Sequence, residues 1–77
     1  MVDEKLRKEK LKMWKENLAQ LEKQLEEISL KKGAAAQEGD LSENAAYTMA
    51  IEDAETTRVR INEVKKIIAD LEKGEEK

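Results

Sequence analysis

Two carboxylates in the middle of the chain, Asp40 and Glu43, have the residue type and spacing that could bind a divalent cation. They lie three residues apart, so in a helix their carboxylates would be about one turn apart and close in space. Mg²⁺ takes oxygen ligands and is often held by one or two carboxylates together with waters and substrate phosphates. The pair therefore supplies half of a magnesium site, and another molecule would have to supply the rest.

The same two residues also match the start of a helix. In this interpretation Asp40 caps the first backbone N–H groups of a second helix, and Glu43 lies in its first turn, where the helix dipole favours an acid. Caps of this form are common, so spacing alone leaves both interpretations open.

Charge is distributed unevenly along the chain. Residues 33–57 contain no Lys or Arg and six acidic residues, while the rest of the chain carries a net charge of +3. Together these give the overall charge of −3. The acidic stretch should repel nucleic-acid phosphates unless a cation lies between them. Cation binding is therefore the first functional hypothesis.

The composition excludes several classes of function. The 77 residues are 39% hydrophobic, which allows one small domain without a large core. Cysteine and histidine do not occur, so the chain offers no disulfide, no zinc-finger pattern and no imidazole for acid–base catalysis near neutral pH. The amino terminus is charged, and no apolar run approaches about 18 residues. We therefore expect a soluble intracellular protein that fits few enzyme mechanisms.

A long first helix is predicted before the acidic stretch. The chain has no proline, and 43% of its residues are charged, with both signs interspersed as on a solvated helix. Apolar residues recur at alternating steps of three and four, which is the seam of a coiled-coil helix. The seam predicts a helix over about residues 3–37 that continues through Gly33. Its members are Leu11, Trp14, Leu18, Leu21, Leu25 and Ile28.

A second seam with the same spacing follows the acidic stretch. It predicts a second helix over about residues 43–73, which ends near Gly74. The tip between the helices then covers residues 38–42. The members of the second seam are Tyr47, Ala50, Ala54, Thr57, Ile61, Val64, Ile68 and Leu71.

The two seams can pair if the chain reverses at the tip. Gly39 can end the first helix there, because glycine takes a left-handed conformation without steric cost. Folding the chain back pairs every first-seam residue with a second-seam residue, for example Ile28 with Ala50. The sequence thus predicts an all-α fold, a long antiparallel two-helix coiled-coil hairpin with an acidic tip loop.

Several apolar residues lie off these seams. They form a possible second apolar strip that could dock another copy of the chain, as a homodimer or four-helix bundle. The alternative is that they are scattered surface residues. The residues of this possible strip are Leu6, Met13, Met49, Ile51, Val59 and Ile67.

Residues 39–47 carry a specific resemblance. They read Gly-Asp-Leu-Ser-Glu-Asn-Ala-Ala-Tyr, which resembles the tip motif G-D-x-x-E-N-A-x-Y of the bacterial transcript cleavage factors GreA and GreB. The resemblance covers the amino-terminal coiled-coil domain of that family, which would be residues 1–77. We expect the chain to be this domain alone, without the family's carboxy-terminal domain, which resembles an FKBP fold and grips the rim of the polymerase channel.

The resemblance implies an accessory factor of RNA polymerase in the bacterial cytoplasm. Such a factor inserts its hairpin through the secondary channel and stimulates the polymerase's own cleavage of the 3′ end of backtracked nascent RNA. It is therefore not an enzyme by itself. Asp40 and Glu43 would position Mg²⁺ that is shared with the polymerase active site and not bound tightly by the chain alone.

The resemblance also implies roles for three neighbours of the acids. Ser42, Asn44 and Tyr47 would shape the tip or contact RNA or polymerase. Asn44 can bond nearby backbone in the first helical turn. Tyr47 occupies a seam position, so its ring can pack while its hydroxyl makes an outside contact.

The chain departs from the family pattern beside the tip. Family members commonly carry arginines that contact backtracked RNA, at the positions where this chain has Ala36 and Ile51. The absence of these two charges weakens the case for strong binding of extruded RNA and favours short-fragment cleavage, or binding without efficient cleavage, as the outcome. The alternative function is a non-catalytic coiled-coil interaction module or an inhibitor that occupies the secondary channel.

Overall fold

The computed structural model describes residues 3–38 and 44–74. Helix α1 covers Glu4–Ala36 and helix α2 covers Ala45–Glu72, and the two pack along their length as a rod with principal dimensions of 57 × 17 × 12 Å. The described residues contain no strand. The predicted all-α hairpin is thus confirmed, and each helix end lies within two residues of its predicted position.

Helix α1 begins at a side-chain cap and runs through its glycine. The Asp3 carboxylate accepts a hydrogen bond of 3.0 Å from the Lys5 backbone N–H, which satisfies one of the free donors at the helix start. The helix continues through Gly33, as predicted, and ends at Ala36 with Gln37 as its C-cap. Gly39, the predicted helix stop, lies outside the described residues, and α1 ends three residues before it.

The start of α2 corrects one interpretation. The helix begins at Ala45, and its N-cap is Asn44. The interpretation in which Asp40 caps this helix, with Glu43 in its first turn, is therefore wrong. Local sequence could not decide this, because Asp, Ser and Asn are all good N-cap residues and all three occur between residues 40 and 44.

The core is the predicted seam, and it is buried mainly on the α2 side. The six seam residues of α1 are only half-buried. A single pair of helices covers one stripe of each, so large leucine and tryptophan side chains keep an exposed edge. Tyr47 is likewise half-buried, whereas the remaining seam residues of α2 are buried: Ala50, Ala54, Thr57, Ile61, Val64, Ile68 and Leu71.

Contacts between the helices at both ends of the rod match the predicted register. Arg7 bonds to Leu71 at the base, while at the tip Asn44 bonds to Ala35 and Lys32 lies over the Tyr47 ring. The residue numbers in each of these pairs add to 78 or 79, as they do for every pair predicted from the two seams.

The base of the hairpin is closed by an arginine that the apolar pattern did not single out. The Arg7 guanidinium donates to the carbonyl oxygens of Leu71 at 2.8 Å and Glu72 at 3.3 Å, and to the Glu4 carboxylate at 3.0 Å. A cation is favourable at a helix C-terminus, where carbonyl groups lack partners. A step of four back from Leu11 would have identified Arg7 as the next seam position.

Helix α2 ends as predicted. Lys73 is its C-cap, and Gly74 follows with a φ of 78°, the left-handed conformation that glycine adopts without strain. The Gly74 N–H donates to the Leu71 carbonyl at 3.1 Å. Neither described helix combines the length and the apolar character needed to cross a membrane.

Candidate functional site at the tip

The two helix ends that carry the tip are described, and three of the predicted site residues between them are not. Asp40, Ser42 and Glu43 lie outside the described residues, so their proposed roles stay predictions. Asn44 and Tyr47 are described, both half-buried. The structure therefore shows the two helix ends that flank the acids, the end of α1 and the start of α2.

Asn44 ties the two helix ends together. Its side-chain oxygen accepts a hydrogen bond of 3.2 Å from the Tyr47 N–H, which caps α2, and its amide nitrogen donates a bond of 2.7 Å to the Ala35 carbonyl in the last turn of α1. The predicted bond to backbone in the first turn is thus present, and the bond across to α1 is an addition. The oxygen and the nitrogen of the Asn44 side-chain amide both make hydrogen bonds inside the hairpin. These bonds hold the end of α1 and the start of α2 at a fixed separation.

Tyr47 packs within the hairpin. The Lys32 ammonium lies 5.9 Å from the centroid of its ring, within the range of a cation–π contact. This supports the packing role predicted from its seam position. The contact with RNA or polymerase predicted for its hydroxyl stays a prediction.

The acid-rich stretch keeps its charge. Four of its six acids are described, and Glu38, Glu52, Asp53 and Glu55 are all exposed. The ion pairs found in the described part of the chain are Arg7 with Glu4, inside α1, and Lys15 with Glu72, between the helices. Neither pair involves these acids. Within residues 3–38 and 44–74, none of these four acids is therefore held in an ion pair.

The described residues do not form a metal site by themselves. No group of three or more acids comes together in residues 3–38 and 44–74. The donors that remain, the Asp40 and Glu43 carboxylates, are hard oxygen ligands of the kind that Mg²⁺ prefers. Their chemistry fits a shared magnesium ion, and their number fits a site that a second molecule completes.

Comparison with known proteins identifies the family. Searches of curated proteins and of solved structures gave no match. A family model, GreA_GreB_N, described as "Transcription elongation factor, N-terminal", matches residues 5–72. The match begins in the first turn of α1, spans the tip and ends at the last residue of α2. The chain therefore belongs to the GreA/GreB N-terminal family of transcription elongation factors.

Proposed function

We propose that this chain acts on RNA polymerase as a transcript cleavage factor, entering the secondary channel with its acidic tip first. The observation that carries the proposal is the combination of a slender rod of 57 × 17 × 12 Å with described acids toward the tip that are exposed and form no ion pair. Membership in an elongation-factor family supports the same partner. The proposed place of action is the bacterial cytoplasm, where the polymerase transcribes.

Asp40 and Glu43 are the proposed metal-positioning residues. Their carboxylates would hold Mg²⁺ jointly with acids of the polymerase, and no Lys or Arg lies between residues 33 and 57 to compete for them. When bound, the ion supplies an activated water and polarises a phosphate oxygen. Two carboxylates bind Mg²⁺ weakly by themselves, because the ion gives up its waters reluctantly. The cleavage activity then belongs to the polymerase, and this chain is its accessory factor.

The described residues have a positioning role in this proposal. Asn44 holds the start of α2 against the end of α1, so the two helix ends that flank the tip are fixed relative to each other. Because both ends of its amide are engaged, Asn44 has little left to offer RNA. Ser42 and the Tyr47 hydroxyl are therefore the proposed outer contacts to RNA or polymerase.

One observation favours a second candidate function. Ala36 ends α1 as an exposed small residue, and Ile51 lies half-buried in α2, at the positions where family members commonly carry arginine. Without these cations the extruded RNA would be held weakly. The alternative is a factor that occupies the channel and slows the polymerase without stimulating cleavage, and short-fragment cleavage lies between the two.

A cleavage assay on stalled, backtracked elongation complexes tests the proposal. With Mg²⁺ and increasing amounts of the chain, we expect nascent RNA to be shortened from its 3′ end. Asp40→Asn and Glu43→Gln should each slow the shortening about tenfold or more, equal to ~1.4 kcal/mol of transition-state stabilisation.

Matched controls separate a metal-positioning role from bulk charge. Glu52→Gln and Asp53→Asn remove the same charge from exposed positions of α2 in the same acid-rich stretch and should change the rate little. Slower transcription without RNA shortening would support the inhibitor instead. An equal loss in all four variants would contradict a specific role for Asp40 and Glu43.

A further inference from the structure

The core of the hairpin differs between its two halves. We call residues 4–21 and 58–72 the base half, and residues 22–36 and 44–57 the tip half. Along α2, the buried seam residues are large and aliphatic in the base half and small in the tip half. The large ones are Ile61, Val64, Ile68 and Leu71, and the small ones are Ala50, Ala54 and Thr57.

Helix α1 does not make up for this difference. Its large seam residues in the tip half, Leu25 and Ile28, lie opposite Ala54 and Ala50 in the register of the hairpin. Alanine has three fewer side-chain carbons than isoleucine, and each buried CH₂ group is worth about a factor of four in an equilibrium constant. Apolar burial therefore holds the helices together much less strongly in the tip half.

Polar contacts join the helices near the tip instead. The seam of α1 ends with Lys32 and Ala35, and both contact α2 through polar groups. The Asn44 amide nitrogen donates to the Ala35 carbonyl at 2.7 Å, and the Lys32 ammonium lies 5.9 Å from the centroid of the Tyr47 ring. We call the bond from Asn44 to Ala35 the latch. With so little apolar burial beside it, the latch provides a large part of the closure of the tip half.

Two threonines mark the boundary between the halves on α2. The Thr56 hydroxyl donates to the Glu52 carbonyl at 3.1 Å, and the Thr57 hydroxyl donates to the Asp53 carbonyl at 2.8 Å. Bonds from a hydroxyl to the carbonyl four residues earlier destabilise a helix slightly and often bend it. Both occur where the seam of α2 changes from small to large residues, so α2 is weakest at this boundary.

Chain connectivity alone would favour the opposite order of opening. The chain joins the two helices at the tip, whereas at the base their ends are not joined. In a hairpin with a uniform core, the joined end should open last, because the short connection keeps its two strands of chain close together. The large seam residues and Arg7 close the base, so the distribution of the core opposes this order.

We propose that the tip half opens as a unit while the base half stays closed, with Asn44 as the latch and the boundary near Thr57. Proteins commonly contain such units, which open at a lower free energy than the whole molecule. Opening separates the end of α1 from the start of α2, the two helix ends that flank Asp40 and Glu43. A partner that contacts both helix ends would therefore select the closed form.

Native-state hydrogen exchange, followed for each amide by nuclear magnetic resonance at low protein concentration, tests the proposal. After correction for intrinsic rates, the slowest amides of residues 50–56 should exchange about tenfold or more faster than the slowest amides of residues 61–68. Amides of residues 29–35 should match the first group, and those of residues 14–21 the second. Equal rates in the two halves, or faster exchange in the base half, would overturn the proposal.

A conservative variant in the base half separates two opening units from one. Ile68→Val removes one buried carbon from the base half, so its slowest amides should exchange about threefold to tenfold faster. The base half stays closed when only the tip half opens, so the rates of the tip-half amides should not change. Equal acceleration in both halves would show that the hairpin opens as a single unit and would contradict the proposal.

A variant at the tip tests the latch. Asn44→Ser keeps a good N-cap residue, but its side chain is too short to reach the Ala35 carbonyl. The tip-half amides should then exchange about threefold to tenfold faster, the effect of one lost hydrogen bond. Unchanged exchange in the tip half of Asn44→Ser would show that Asn44 is not the latch.

Discussion

Asn44 is the residue on which the local geometry of the tip depends most clearly. It caps α2 through its side-chain oxygen and holds the Ala35 carbonyl of α1 through its nitrogen. Its backbone carbonyl also accepts a bond of 3.3 Å from the Thr48 hydroxyl. A residue with this set of bonds positions its neighbours. Asp40 and Glu43 therefore directly precede a residue that is hydrogen-bonded to both helices.

Replacing Asn44 should separate these two roles. Asn44→Ala removes the cap and the cross-bond, and we expect it to lower the free energy of unfolding by about 1–3 kcal/mol. Asn44→Asp keeps a good cap acceptor but sets a carboxylate against the Ala35 carbonyl, so it should be destabilised as well. Urea unfolding followed by circular dichroism gives both values. Asn44→Asp as stable as the parent chain would contradict the cross-bond.

Arg7 plays a comparable part at the opposite end. It is only partly exposed, and its guanidinium bridges the last carbonyls of α2 and the first turn of α1. Planar guanidinium groups present several donors at fixed angles, which lets one side chain serve two carbonyls and a carboxylate together. The hairpin is thus closed by one polar residue at each end, Arg7 at the base and Asn44 at the tip.

Helix α1 contains a weak point that can be strengthened. Gly33 lies in its last turns, is exposed, and has no atom within 4 Å of the place where a Cβ would be. Gly33→Ala should therefore raise the free energy of unfolding by about 0.5–1 kcal/mol, because alanine loses less entropy in a helix. Urea unfolding at low protein concentration measures the change.

Gly74 provides the matched contrast at the end of α2. A Cβ there also meets no atom within 4 Å, but the φ of 78° is unfavourable for any other residue. Gly74→Ala should lower stability by up to about 1–2 kcal/mol, the cost of a left-handed conformation. Stabilisation in both variants would show that the left-handed end of α2 is not maintained in solution.

The elements were largely predictable from the sequence, because each depends on a local pattern. The three-and-four spacing of Leu11 to Ile28 fixes one helical stripe, and the spacing from Ala50 to Leu71 fixes the other. Gly33 did not interrupt α1. Because it is exposed and packs against nothing, the helix loses there only the roughly 1 kcal/mol by which glycine is a poorer helix former than alanine. The end of α2 near Gly74 was also predicted, and the left-handed φ of this residue is the conformation that glycine favours at a helix end.

The residue at which α2 begins was less predictable, because it depends on a contact with the other helix. Asp40, Ser42 and Asn44 are all suitable caps, and the choice of Asn44 coincides with its bond to Ala35 on the other helix. Arg7 was missed for a related reason. It continues the seam spacing with a polar residue, and its partners are backbone carbonyls 64 and 65 residues away.

At the scale of the whole molecule, the hairpin has only a thin apolar core. A two-helix seam with half-buried leucines offers little apolar burial against the entropy of ordering about 65 residues, so a binding partner should add to its stability.

The central claim is that the tip, and not the base, reaches the polymerase active site. A photo-crosslinking residue placed at exposed Gln37, beside the tip, can be compared with one at exposed Lys12, about 37 Å away along α1. In backtracked elongation complexes, we expect the probe at residue 37 to crosslink to polymerase segments around the catalytic magnesium or to the RNA 3′ end, and the probe at residue 12 to crosslink nearer the channel entrance. Active-site crosslinks from residue 12, or equal crosslinking of both probes to the outer surface of the polymerase, would contradict tip-first delivery.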